Sequence, residues 1–237
     1  MAVFYLDDFK DNEIKQTIEI KEGELFHHLR NVLRIRGGET VKFFNNNSVF
    51  QTKIDIVTKE RISCMIESVT PIKLPFPRII LVQSTIKKEL IEVVLKLNVP
   101  FFVKSFIFFK ATRSQFELNE KNILRFHKIA LSIAEQSEVC YKPEIKYFKE
   151  LENAIKEVKD SFVITLHPGV QESIGSFARE ISNFSVVSLF TGPEGGFTEN
   201  EIKVLKSYGA YFVSLKSGIF KSEFAGFVAA AILRELV

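Results

Sequence analysis

The sequence predicts an α/β protein in two regions: a parallel sheet covered by helices, preceded by a small β-rich domain. Three observations carry this. Strand-like and helix-like runs alternate from residue 78 onward, and short alternating or β-branched segments fill the first 72 residues. The two textures meet at Pro71-Ile72-Lys73-Leu74-Pro75-Phe76-Pro77, where closely spaced prolines hold the chain extended and deny ladder hydrogen bonds. The boundary is placed there, with one domain over residues 1–72 and a second over residues 73–237.

In the first region, segments 17–20, 40–44, 49–57 and 61–69 read as strands, separated by turn signals at Gly37-Gly38 and Asn45-Asn46-Asn47. With one short helical piece over 25–33, this spacing predicts a small β-barrel. In the second region, strands at 78–82, 101–109, 162–166, 186–190 and 210–215 alternate with helices at 87–97, 120–137, 150–158 and 172–181. Such alternation predicts a parallel sheet. A further helix opens at Thr198 and Glu201, which stand at capping-box spacing, and can stop at Gly209. The closing helix, from about residue 222, carries Phe224, Phe227, Val228, Ala231, Ile232 and Leu236 on one face. Ala225, Ala229, Ala230 and Leu233 leave much of the other face apolar too, so burial on more than one side is expected, at the centre of the fold or at a subunit interface.

The 237 residues, 46% hydrophobic and 26% charged, have an ordinary soluble composition with enough apolar material for a substantial core. The 24 phenylalanines, with no tryptophan, are read as core filling. Cys64 and Cys140 lie far apart without metal-ligand spacing, so neither a disulfide framework nor a metal site is expected. The first residues turn acidic too early for a signal peptide, and no apolar run reaches the roughly 18 residues of a membrane span. A cytoplasmic protein without membrane association is expected. A net charge of +3 does not by itself indicate nucleic-acid binding, but two local clusters do stand out. His27, His28, Arg30, Arg34 and Arg36 surround the short helical piece, and Lys104, Lys110 and Arg113 lie near one strand end of the second region. Each is either a solvated face or a set of phosphate contacts.

The most informative stretch is Phe190-Thr191-Gly192-Pro193-Glu194-Gly195-Gly196-Phe197, a glycine-crowded loop between a buried-strand pattern and the capped helix. It could be a tight surface connection, or a place where a ligand lies directly on backbone. No G-x-x-x-x-G-K-[ST] and no G-x-G-x-x-G occurs, so a phosphate-held ligand is disfavoured. Two more loops follow strand ends: Leu166-His167-Pro168-Gly169, and Leu215-Lys216-Ser217-Gly218-Ile219-Phe220-Lys221. In open α/β sheets ligands bind outside the carboxyl ends of the strands. If these strands are neighbours, the three loops line one pocket of backbone and apolar groups, suited to an adenosine with a thioether tail.

The stretch from Leu189 through Phe197, followed by a helix, resembles the signature of the RsmE family of 16S rRNA uridine-N3 methyltransferases, of the SPOUT superfamily. The resemblance extends to His27-His28-Leu29-Arg30-Asn31-Val32-Leu33-Arg34-Ile35-Arg36-Gly37-Gly38-Glu39, to Ala134-Glu135-Gln136-Ser137 with Pro143, and to residues 215–225. It implies an N-terminal PUA-like RNA-binding barrel and a C-terminal α/β domain whose chain end forms a trefoil knot. It further implies a homodimer, S-adenosyl-L-methionine as cofactor, and 16S rRNA in the small ribosomal subunit as partner.

Carried over by position, the cofactor site comprises Leu166, His167, Pro168, Gly169, Gly192, Pro193, Glu194, Gly195, Gly196, Leu215, Ser217, Ile219 and Phe220. His28, Arg30, Arg34 and Arg36 are the RNA-binding expectation. Methylation at N3 requires removal of the imide proton and support for the developing charge, for which Glu194, Glu223, Lys221 and Arg113 are the catalytic candidates. Glu194 has an alternative role as acceptor for amides of its own loop. The chain departs from the family in three places. Where the family usually reads Gly-x-Arg-Ile-Leu-Arg-x-Glu-Thr-Ala, two arginine positions hold Gly218 and Lys221. Val139 replaces the arginine that usually follows Ala-Glu-Gln-Ser, and Lys96-Leu97-Asn98-Val99 stands for Glu-Leu-Gly-Val. An arginine fork is not equivalent to lysine, glycine or valine, so two alternatives stand beside the enzyme: an RNA-binding or assembly protein of the same fold, and a related methyltransferase with another RNA target.

Overall fold

The computed structural model describes residues 2–6, 16–216 and 218–236. The chain forms two compact units, Met1–Lys73 with Ala134–Lys142, and Leu74–Ile133 with Pro143–Val237.

Among the described residues, the first unit is a five-stranded sheet of β1 (Val3–Tyr5), β2 (Thr17–Ile20), β3 (Thr40–Phe44), β4 (Ser48–Val57) and β5 (Ile62–Pro71), in the order β1-β3-β4-β5-β2. β1 runs parallel to β3, and the other pairs are antiparallel. Side-chain alternation sets the inner face: Ile18 and Ile20 are buried while Thr17 and Glu19 face water. Register shifts between β4 and β5 at Gln51/Thr52 and Ile54/Ile56 bend the sheet and increase its twist. The core takes Phe4, Ile18, Phe43, Phe50 and Ile62 from the five strands and Phe26 from α1 (Gly23–His27), as in a small barrel. Asn45 Oδ1 accepts from the amides of Asn47 and Ser48, each at 2.8 Å, and so closes the β3–β4 turn predicted from the asparagine run. β1 escaped the sequence reading because three residues show no period.

The second unit contains β6 (Arg78–Ser84), α2 (Lys88–Asn98), β7 (Val103–Phe109), α3 (Glu120–Gln136), β8 (Glu144–Phe148), α4 (Leu151–Glu157) and β9 (Phe162–Leu166). It continues with α5 (Ala178–Ile181), β10 (Val186–Thr191), α6 (Glu199–Ser207), β11 (Tyr211–Val213) and α7 (Ser222–Leu236). All pairings are parallel, in the order β11-β9-β10-β6-β7-β8. β9 is buried along its whole length and β10 nearly so, the continuous apolar pattern of strands covered on both faces. β8 was missed because Glu144 and Lys146 put charges into a short edge strand, with Ile145 facing inward. The helix expected over 172–181 divides into a 3₁₀ turn, Ile174–Phe177, and the four-residue α5, with Gly175 weakening the helical interior. Lys104 and Lys110 flank opposite ends of β7, roughly 20 Å apart at ~3.3 Å per residue, so the expected basic patch with Arg113 does not form. Lys104 pairs instead with Glu144 and Lys110 with Glu117.

α7 packs against α2, β10 and β6. Its buried side is small, comprising Gly226, Ala229 and Ala230 with Leu233. At Gly226 a Cβ would stand 2.6 Å from Leu81 Cδ1, so any larger residue there would force the buried Leu81 side chain to shift. The last turn is held by Arg234, whose Nη1 and Nη2 donate to the carbonyls of Pro77 at 2.7 Å and Phe102 at 3.1 Å. Phe224 remains exposed on the opposite side, and Leu236 at the end of the helix.

Candidate active site

β11, β9 and β10 are neighbours, and the chain leaves all three at the same sheet edge. The three predicted loops therefore meet around one cavity of about 910 Å³. Leu166, His167, Pro168, Gly169, Gly192, Pro193, Glu194, Gly195, Gly196, Leu215, Ile219 and Phe220 all line it, while Ser217 lies outside the described residues. Lys221 and Glu223 line it too. Lys87 and Leu90, at the start of α2, were not anticipated, nor was Ser222. Applying the strand-end rule to β6 as well would have found the first two.

The central loop is fixed from several sides. Gly196 N–H donates to the Pro193 carbonyl at 2.8 Å, closing a turn in which Gly196 has φ 69°. Phe197 is buried, stacks on Phe109 with centroids 6.4 Å apart, and covers Gly192, where a Cβ would stand 3.2 Å from the ring. α6 begins with the predicted capping box of Thr198 and Glu201. Glu201 reaches further, accepting the Thr112 amide at 2.8 Å. That contact holds the segment carrying Arg113 beside the loop, and Arg113 Nη1 donates to the Gly195 carbonyl at 2.7 Å. Arg113 is not among the residues lining the cavity.

The first loop continues the β9–β11 ladder, with His167 N–H donating to the Val213 carbonyl at 2.9 Å and the imidazole edge-on to Phe212. In the third loop Gly218 has φ 130°, a conformation side-chain-bearing residues rarely adopt. The Lys221 carbonyl accepts from Phe224 and Ala225 N–H and starts α7. Charge is distributed unevenly. Lys87, Glu194, Lys216 and Lys221 are exposed, whereas Glu223 is buried in the first turn of α7. Among the described residues the Glu194 carboxylate accepts no hydrogen bond, so its expected alternative role as acceptor for loop amides is not realised. Apolar walls from Leu90, Leu166, Val213 and Ile219, with glycine backbone between them, match a nucleoside-sized ligand held by backbone and shape.

In the first unit, α1 passes directly into a π-helical turn, His28–Val32. His27, His28, Arg34 and Arg36 are exposed along this segment, and Arg30 is half-buried with its guanidinium 5.9 Å from the Phe26 ring centroid. His28 lies edge-on to Phe4, and Arg34 has φ 53°. The expected basic residues thus lie along α1, the π-helical turn and the irregular chain that follows it. Among the described residues no group of His, Cys, Asp and Glu is placed to hold a metal, and no helix is long and apolar enough to cross a membrane.

Residues 73–234 match the family model of the RNA methyltransferase domain, and residues 21–67 that of the RNA methyltransferase PUA domain. Among curated proteins, the Ribosomal RNA small subunit methyltransferase E of Rickettsia conorii is 26% identical over 92% of this chain and 90% of its own. That of Bacillus subtilis is 26% identical over 89% and 87%. Among solved structures, a Legionella pneumophila methyltransferase in complex with bound SAM superposes with a TM-score of 0.83 at 25% identity, covering 99% of this chain and 97% of that one. The Ribosomal RNA small subunit methyltransferase E of Neisseria gonorrhoeae, bound to S-adenosyl methionine, gives 0.86 at 22% identity over 100% and 98%, a likeness of fold.

Proposed function

The chain belongs to the RNA methyltransferase family, and from that premise we propose that it transfers the methyl group of S-adenosyl-L-methionine to N3 of a uridine in 16S rRNA, within the assembled small ribosomal subunit. The observation that carries the reading is the convergence of the three strand-end loops and the start of α7 on one cavity whose walls are glycine backbone and apolar side chains. The relatives named for small-subunit rRNA methylation support the substrate class. The same reading gives a cytoplasmic homodimer with a knotted chain end.

Leu166, Leu215 and Ile219 would hold the adenosine by apolar contact, and the backbone of 192–196 would hold its polar groups. When bound, the cofactor supplies an electrophilic methyl group on a sulfonium. The chain's own task is to align the base and manage one proton. Glu194, exposed at the cavity, or Glu223, buried beside it, would take the N3 proton, and Lys221 would face the charge developing on the adjacent oxygens. Arg113 would act through the loop it holds at Gly195. His28, Arg30, Arg34 and Arg36 would contact phosphates and leave recognition to RNA shape.

One observation favours the alternative of an RNA-binding protein without transfer, or of a transferase with another RNA target. At the positions where the family usually carries arginine, Gly218 has a backbone conformation reserved for glycine and Val139 is buried. The local structure is therefore built around the replacements. The deciding experiment incubates the protein and labelled S-adenosylmethionine with small subunits lacking the modification, and with naked 16S rRNA in parallel. 3-Methyluridine in the digested nucleosides, chiefly from intact subunits, is the expected result. Cofactor binding without transfer, while a family member with the usual arginines is active on the same particles, would move the reading to the RNA-binding protein. A different methylated nucleoside would move it to another target.

A further inference from the structure

Gln83 stands near the end of β6, is 1% exposed and is not one of the cavity-lining residues. Its side chain nevertheless links two of the segments that are. Thr191, its register partner on β10, donates from Oγ1 to Gln83 Oε1. Gln83 Nε2 donates to Ser222 Oγ at 2.9 Å and to the Ser84 carbonyl at 3.1 Å. Ser222 Oγ in turn donates to the Gly192 carbonyl at 2.6 Å.

The direction of every bond follows from the chemistry of the groups. A backbone carbonyl only accepts, so the single Ser222 proton goes to Gly192, and Ser222 can meet the amide only as an acceptor. That turns the Gln83 NH₂ toward Ser222 and its oxygen toward Thr191. The chain therefore runs one way, from Thr191 through Gln83 and Ser222 to Gly192. Gly192 is the residue at which the central loop leaves β10, and Ser222 is the first residue of α7, between Lys221 and Glu223.

We propose that Gln83 is a positioning residue for the cofactor loop, which by keeping Ser222 an acceptor commits the Ser222 proton to Gly192 and holds that loop and the start of α7 in one arrangement. The proposal rests on the reading of the cavity as the S-adenosylmethionine site. Buried polar chains of this kind hold their geometry only while each member is matched, because an unmatched group in a low-dielectric interior is costly. An amide is the side chain of this size that both accepts from Thr191 and donates to Ser222 without titrating.

The test uses Gln83→Glu, Gln83→Met and Ser222→Thr in the full-length protein, with cofactor affinity from calorimetry and amide exchange of peptides spanning 192–198. An ionised glutamate accepts at both oxygens, so the Ser222 proton turns toward it and Gly192 loses its donor. A protonated glutamate donates as the amide does. Gln83→Glu is therefore expected to bind S-adenosylmethionine at least tenfold more weakly at high pH, to recover on acidification with an inflection absent from the parent, and to show faster loop exchange at high pH. Gln83→Met should be weaker at every pH without that inflection, which separates the effect from titration of Glu194, Glu223 and Lys221. Ser222→Thr keeps the hydroxyl that donates to Gly192 and should lose less affinity than Ser222→Ala, which removes it.

Affinity and loop exchange in Gln83→Glu that match the parent across the pH range would overturn the proposal. So would loop exchange that changes no more than exchange throughout the unit. Should Gln83→Met fail to fold, Ser222→Ala against Ser222→Thr makes the same cut, with the larger rise in loop exchange expected in the first. A parent that binds no S-adenosylmethionine would end the cofactor reading, while the exchange data would still decide whether Gln83 positions the loop.

Discussion

The Arg113 guanidinium donates to the Gly195 carbonyl at 2.7 Å, and its aliphatic stem covers the face of Gly195 where a Cβ would come within 3.3 Å of Cδ. Arginine and glycine are thus matched as a pair. Removing the side chain frees the carbonyl, and adding a methyl group at 195 pushes the side chain away.

Arg113→Ala is expected to weaken S-adenosylmethionine binding roughly tenfold, the scale of one charge-assisted hydrogen bond discounted for exposure. Gly195→Ala should give a smaller loss in the same direction, about threefold. Isothermal titration calorimetry reads both. Unchanged affinity in Arg113→Ala with transfer abolished would place the guanidinium at the RNA instead.

Glu201 accepts from the Thr198 amide at 2.7 Å, from the Thr198 hydroxyl at 2.9 Å and from the Thr112 amide at 2.8 Å. Glu201→Ala removes half of a capping box and leaves the Thr112 N–H without its acceptor, for an expected loss of about 2–3 kcal/mol. Glu201→Gln keeps one acceptor oxygen and should recover part of it. Urea denaturation of the three proteins would test the order.

Burial holds the Glu135 carboxyl above its usual 4.5, opposed by the Tyr5 amide, which donates to it at 3.0 Å, and by the charge of His28. Because the folded state takes up this proton more readily than the unfolded chain, ionisation carries a cost that is fully present above the raised value and disappears as pH falls below 4.5. Glu135→Gln keeps an acceptor for Tyr5 without the charge. It should therefore be more stable than the parent at pH 7, with the advantage gone near pH 4. Denaturant midpoints at the two pH values measure this, and equal midpoints at pH 7 would contradict it.

Burial pushes the Cys64 thiol up to about 12, only partly offset by its hydrogen bond with Thr52. Cys140 is half-buried and raised less far. Alkylation of native protein at pH 8 should mark Cys140 first, more slowly than a free thiol, and Cys64 only on unfolding. Peptide mass spectrometry after timed quenching separates the two.

The parts of the site that were legible in the sequence are those whose signals are local. Glycine and proline around Glu194 announced a loop, Thr198 and Glu201 announced the helix after it, and both occur as expected. That three loops share one cavity depended on strand order, which local periodicity does not encode. The Gln83–Ser222 bond, spanning 139 residues, had no signal at either end: a glutamine in an apolar strand and a serine before a helix are each unremarkable alone. Arg113 was singled out as a catalytic candidate for its charge, yet its resolved contact is with backbone, a distinction only geometry supplies.

Residues 134–142 group with the first unit although both flanking stretches belong to the second. Within that unit the Glu135 carboxylate holds the Tyr5 amide, and the Lys142 ammonium sits 4.6 Å from the Tyr5 ring centroid. The covalent chain consequently passes between the units three times, at 73/74, 133/134 and 142/143. Neither half can be excised as a cassette by one cut at the proline-rich stretch, since a fragment beginning at 74 would carry nine residues of its neighbour's fabric and the other fragment would lack them. A lineage exchanging the first unit would have to trade two separate stretches of gene in a single event.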